Sequence, residues 1–219
     1  MMASSDHLLI TVNGRGGHAS EPHRALDPIP IACEIVTAMQ TMVTRSIDIF
    51  DPSIITVGRI TAGTTNNVIP ENAQIEGTIR AVSAATRSKV HANIHRVAEG
   101  VAAAHDASVT VTITLGYGVT SNHNGFSSFA TDVAGEVMGQ QRIVQMPHPV
   151  MGAEDFSYVL EAVPGAMMFL GGTHPDRDLA HAAPNHSNRV MFDEDAMVDG
   201  MAVYTAVALR HLQPSAAAS

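Results

Sequence analysis

The chain has 219 residues, 45% of them hydrophobic and 15% charged, enough apolar content to bury the core of one large domain or two small ones. Twelve Lys and Arg stand against 21 Asp and Glu, a formal net charge of −9, which speaks against nucleic acid or an anionic membrane surface as a partner. No apolar run approaches the roughly 20 residues of a membrane-spanning helix. The single cysteine, Cys33, excludes an intrachain disulfide framework and fits a reducing, cytoplasmic compartment.

In chain order, DHLLITV (6–12) reads as a strand. After a glycine-rich stretch, DPIPIACEIVTAMQTMVTRS opens with prolines and carries Ile31, Ile35, Met39 and Met42 at helical spacing, with Cys33 read as a small core residue of that helix. SIITVGRI (53–60) is a second strand. AQIEGTIR (73–80) is a third, with Ala73, Ile75, Gly77 and Ile79 on one face. A second helix runs from about Ala84 to Ala104 on the stripe Val90, Ile94, Val97 and Val101, and SVTVTITL (108–115) alternates as a fourth strand. This β-α-β-β-α-β order is that of a ferredoxin-like sandwich, four antiparallel strands with two helices on one face.

GYGVTSNHNG (116–125) breaks the periodicity, and the pattern then changes. A helix is expected over Phe126–Met138, a short strand at RIVQM, a helix at EDFSYVLEAV and a buried strand at AMMFLGG (166–172). A last helix is expected from Asp193 to Leu212, on the stripe Met197, Met201, Tyr204 and Ala208, with residues 213–219 as a frayed tail. About two strands are too few for an α/β sheet, and an apolar strand normally needs neighbours on both sides. The fold class is therefore α+β: a ferredoxin-like domain over 6–116, then an incomplete α/β segment over 118–212.

Five stretches can carry chemistry, and each also has a plain structural reading. NGRGGHASEPH (13–23) lacks the Lys-Ser/Thr and the glycine spacing of a phosphate loop; its glycines either form a simple turn or place His18 at a ligand. AGTTNNVIPENAQIEGTIR (62–80) is long for a hairpin turn and can present Asn67 to a ligand and Arg80 to a carboxylate, or be a decorated turn with a surface arginine. Glu154 in MGAEDFSYV reads as a helix cap or a site residue, and His186 in APNHSNRVMFDED as a polar loop residue or a ligand. HANIH sets His91 and His95 at i and i+4, but Ala92 stands where H-E-x-x-H has glutamate, so both are expected on a solvated helix face.

Taken together, TVNGRGGHAS, GTTNNVIPENAQIEGTIR, GAEDFSYV and NHSNRVMFDED occur in the order seen in the metal-dependent amidohydrolases and aminoacylases, which this chain resembles from about Asp6 to Leu212. The resemblance implies a catalytic α/β domain binding two divalent metal ions, zinc or a related ion such as manganese. A ferredoxin-like lid is inserted in that domain and often forms a homodimer contact. It implies that His186 is a metal ligand, that His18 steadies an oxyanion, often in the partner's site, that Asn67 and Arg80 hold the substrate carbonyl or carboxylate, and that Glu154 lies near the substrate. The implied substrate is a small N-acyl amino acid of the hippurate type. The family's N-terminal cysteine, histidine and glutamate motifs are missing from this sequence, so the chain is expected to be the C-terminal part of a longer enzyme, inactive and without a stable metal pair by itself. Two other readings remain open: a dipeptidase of the same family, and a non-catalytic ligand-binding or dimerisation module.

Overall fold

The computed structural model describes residues 1–213. They form β1 (Asp6–Asn13), β2 (Gly17–His18), α1 (Pro28–Ser46), β3 (Ser53–Ala62), β4 (Val68–Ile69), β5 (Asn72–Ala81), α2 (Ala84–Ala104), β6 (Ser108–Leu115), α3 (Asn124–Met138), α4 (Phe156–Ala162) and α5 (Ala196–Leu212). Two compact units result: residues 1–121 with 148–162, and residues 122–147 with the chain from Val163 onward. The expected frayed tail, from Pro214 on, lies outside the described residues.

In the first unit the strands align as β3-β5-β1-β6, every neighbouring pair antiparallel. This is the ferredoxin-like arrangement that the sequence order predicts. Alternation makes the sheet two-faced: Leu8, Ile10 and Val12 of β1 and Ala73, Ile75 and Ile79 of β5 are buried under the helices, while the intervening residues face outward. Helix α1 lays Ile31, Ile35, Met39 and Met42 onto this face, and α2 lays Val90, Ile94 and Ala98 there. Each fully buried aliphatic side chain contributes about 1.5–3 kcal/mol.

Both helices start where their sequences dictate. The Asp27 carboxylate accepts from the Ile29 N–H, with Pro28 in the first turn, and the Ser83 hydroxyl accepts from the Thr86 N–H. Cys33 is exposed rather than in the core, because two residues after the buried Ile31 the helix has turned about 200° away.

Asp6, the first residue of β1, is buried, and its carboxylate takes a bidentate pair of bonds from the Arg87 guanidinium, one of them Nε to Oδ2 at 2.9 Å. The His91 ring lies 2.8 Å from Oδ2, and the Gly116 N–H donates to Oδ1 at 3.1 Å. His91 is therefore mostly buried, unlike the solvated residue expected, and only His95 fits that expectation. Burial alone would push the Asp6 carboxyl up, but the bonds from Arg87, Gly116 and His91, with the Arg87 charge, outweigh it and hold the group below its ordinary value. The network joins the start of β1, the first two turns of α2 and the segment leaving β6. Tyr158 of α4 reaches the same segment, its hydroxyl donating to the Gly116 carbonyl at 3.2 Å.

The second unit is mostly helical. Helices α3 and α5 pack through Phe126, Phe129 and His211 and are bridged by Arg210 and Glu136. The strands expected at RIVQM and AMMFLGG do not form. RIVQM begins in a short 3-10 turn, Gln140–Arg142, and continues without a strand partner. The 166–172 segment is bonded only near its two ends: the Asn122 side-chain amide donates to the Met167 carbonyl and accepts from the Met167 N–H, both at 2.9 Å, the His123 N–H reaches the Gly165 carbonyl, and the Gly172 carbonyl accepts from the Asp193 N–H at 2.8 Å beside an isolated Thr173–Phe192 bridge. One asparagine thus occupies the place of a neighbouring strand at one end, and between the two ends the backbone finds no ladder among the described residues. Phe169 is consequently 54% exposed. The expected stripe of α5 is also uncovered: Val203 is buried, whereas Met197, Met201 and Tyr204 are exposed, Tyr204 to 83%.

Candidate functional site

A two-stranded ribbon formed by β2 and β4 pairs Gly17 with Ile69 and His18 with Val68. It extends past the end of the main sheet where Asn13 of β1 pairs with Asn72 of β5. The Ala19 N–H donates to the Asn67 carbonyl at 3.1 Å, which brings His18 and Asn67 side by side. The glycines before His18 permit this by allowing close approach, since none has a positive φ. A Cβ on Gly14 would lie 2.2 Å from the Leu26 carbonyl oxygen, and one on Gly16 would lie 2.9 Å from that of Ile69. The loop folds back on itself through reciprocal bonds between Arg15 and Leu26. Nδ1 of His18 receives the Ser20 N–H at 3.2 Å, with the Ser20 hydroxyl at 2.8 Å.

Arg80 lies at the opposite end of β5 from this ribbon. The eight residue-to-residue steps of strand from Asn72 to Arg80 amount to about 26 Å. Within one copy of the chain, His18 and Asn67 therefore cannot meet Arg80 over one small ligand. Arg80 is half-buried, and its Nη1 donates to the Met151 carbonyl at 2.9 Å, leaving four of its five donors for other partners. That bond joins Arg80 to the loop carrying Glu154. Glu154 is half-buried, and its backbone carbonyl accepts from the Ser157 N–H at 3.2 Å as α4 begins.

His186, in the second unit, is exposed in a loop and has φ +69°, a left-handed conformation unusual for a histidine. The Asn185 side chain receives its N–H at 3.2 Å. Among the described residues no three His, Cys, Asp or Glu side chains converge to hold a metal ion. A metal centre needs three or four ligands, so the donors present here do not fit a dinuclear centre on their own. The sequence motifs missed Ser20 and the Asp6–Arg87–His91 network. The former sits inside a quoted motif only two residues from His18; the latter links residues 81 or more positions apart and leaves no local signal.

Residues 4–106 match the family described as the peptidase dimerisation domain, M20_dimer. An N-acetyldiaminopimelate deacetylase from Leuconostoc citreum is 34% identical over 91% of this chain and 50% of its own length. A hippurate hydrolase from Campylobacter jejuni is 32% identical over 97% of this chain and 54% of its own. Among solved structures, the Bacillus subtilis YXEP protein, a dinuclear metal binding peptidase from the M20 family, superimposes with a TM-score of 0.76 at 25% identity, covering 97% of this chain and 51% of that one. The chain thus spans about half the length of the curated relatives it matches. No helix among the described residues is long and apolar enough to cross a membrane. Residues 4–106 are a peptidase dimerisation domain, and the chain belongs to the M20 family of metal-dependent peptidases and amidohydrolases.

Proposed function

We propose that this chain is the C-terminal half of an amidohydrolase that cleaves the amide bond of small N-acyl amino acids, with residues 6–116 as its lid and 118–212 as part of its catalytic domain. The enzyme works as a homodimer in the cytoplasm. The observation that carries this reading is the separation of the candidate residues into two groups on the first unit. His18 and Asn67 share one end, and Arg80 with the Glu154 loop shares the other. Two copies docked through their lids supply both groups to one site, which a single copy cannot do.

In that site Arg80 holds the substrate carboxylate through its remaining donors. Glu154 flanks the reacting amide, and the partner's lid brings Asn67 to the substrate carbonyl and the His18 ring to the oxygen that becomes negative. A fixed donor aimed at that oxygen lowers the barrier by about 3–4 kcal/mol. His186 is one ligand of a metal pair, zinc or manganese, whose other ligands lie outside this chain; when bound, the pair supplies an activated water.

Metal content and hippurate hydrolysis test the proposal, measured on the 219-residue chain and on the chain preceded by the sequence encoded upstream. Metal and turnover in the longer protein alone are expected. Chelator-sensitive turnover by the 219-residue chain would overturn the half-enzyme reading. Absence of metal and turnover from both would leave a dimerisation or binding module. Comparing hippurate, N-acetyldiaminopimelate and an unblocked dipeptide then separates acyl-amino-acid hydrolysis from a dipeptidase.

A further inference from the structure

We propose that Ser20 is a positioning residue that holds the His18 imidazole as a hydrogen-bond donor at Nε2. A backbone N–H can only donate. The Ser20 N–H, 3.2 Å from Nδ1 of His18, therefore requires that nitrogen to offer its lone pair. A neutral imidazole carries one ring proton, so that proton lies on Nε2. The Ser20 hydroxyl, 2.8 Å from the same nitrogen, donates in the same direction and reinforces the choice. The backbone between the two residues is itself pinned, because the Ala19 N–H is committed to the Asn67 carbonyl. Nε2 has no partner among the described residues, and the side chain is exposed.

This arrangement decides what His18 can do. With the Nδ1 lone pair engaged and Nε2 protonated, neither nitrogen offers electrons to a metal ion or to a proton. His18 is consequently neither a metal ligand nor a general base while Ser20 holds it. It is a fixed donor suited to a carbonyl oxygen or an oxyanion. The tautomer assignment stands on this chain's own geometry; only the identity of the acceptor rests on the amidohydrolase reading above.

Long-range proton–nitrogen correlation spectra of the 219-residue chain read the tautomer directly. They are recorded above the ordinary histidine value of ~6.5, with His18→Gln identifying the His18 signals. The expected pattern is a pyridine-like Nδ1 and a pyrrole-like Nε2. Ser20→Ala should lower the ratio of the Nε2–H to the Nδ1–H form about fivefold, the effect of losing one hydrogen bond, and Ser20→Thr should restore it. A wild-type ring protonated on Nδ1, an averaged ring, or a Ser20→Ala ratio equal to wild type would overturn the proposal. Turnover by the longer protein separates this from the functional reading. If the tautomer follows Ser20 while kcat is unchanged in Ser20→Ala, the oxyanion role fails and the positioning role stands.

Discussion

The two units of this chain use similar proportions of apolar residues in opposite ways. In the first, four strands and two helices close over one another, and Leu8, Ile10, Ile75 and Ile94 are fully buried. In the second, Phe169, Met197, Met201 and Tyr204 remain exposed although the sequence spaces them as core residues. A stripe of apolar residues records that a face is meant to be covered, without saying by what. The first unit carries its own cover; the second carries a face and a strand-like segment held only near its ends, by the amide of Asn122 and by the Asp193 N–H.

Substitutions sharpen this contrast, and the largest effect belongs to the closed unit. Ile75→Ala should cost about 3–4 kcal/mol in denaturant unfolding, because the surrounding sheet and helices cannot collapse into the cavity. Asp6→Ala should cost about 3 kcal/mol by leaving Arg87 without its buried partner. Asp6 also sets an acid limit. Its folded value lies below its unfolded value of ~3.9, so the native state binds fewer protons. Its contribution is complete above that pH and disappears as the pH falls through the folded value. Melting temperature against pH should therefore fall on the acid side in wild type and lose part of that fall in Asp6→Asn.

Gly14→Ala should cost about 2 kcal/mol, since its Cβ collides with the Leu26 carbonyl, and the exchange of the Ala19 amide should speed up with it. In the open unit the effects on stability are small. Tyr204→Ser should change unfolding by no more than about 0.5 kcal/mol. Met197→Lys with Met201→Lys should leave the fold intact and reduce self-association in light scattering. A loss of several kcal/mol from these exposed substitutions would show that the face is covered in the isolated chain, and the contrast would break.

The legibility of the sequence follows the same division. The strands and helices of the first unit are readable because each pairs with or packs on another element of this chain, so local period and tertiary environment agree. AMMFLGG has the residues of a buried strand, but strand formation requires a continuous ladder, and the described residues bond this segment only near its ends. Of the candidate site, His18, Asn67, Arg80, Glu154 and His186 could be nominated from motifs. Their distribution over the molecule could not, because it depends on β5 holding Asn67 and Arg80 at opposite ends. The role of Ser20 depends on the distance from its hydroxyl and N–H to the His18 ring, which the local sequence does not encode. The Asp6 network was hidden because its partners belong to three distant segments.

The separation of His18 and Arg80 is the centre of the functional account, and subunit mixing tests it most directly. His18→Ala and Arg80→Ala are made separately in the longer protein, and the two inactive variants are mixed under conditions that exchange subunits. A site built across two copies predicts recovery to about a quarter of wild-type turnover, since half of the dimers are mixed and each of those has one intact site of two. Turnover no greater than that of the separate variants would contradict the account and place both residues in a site within one copy.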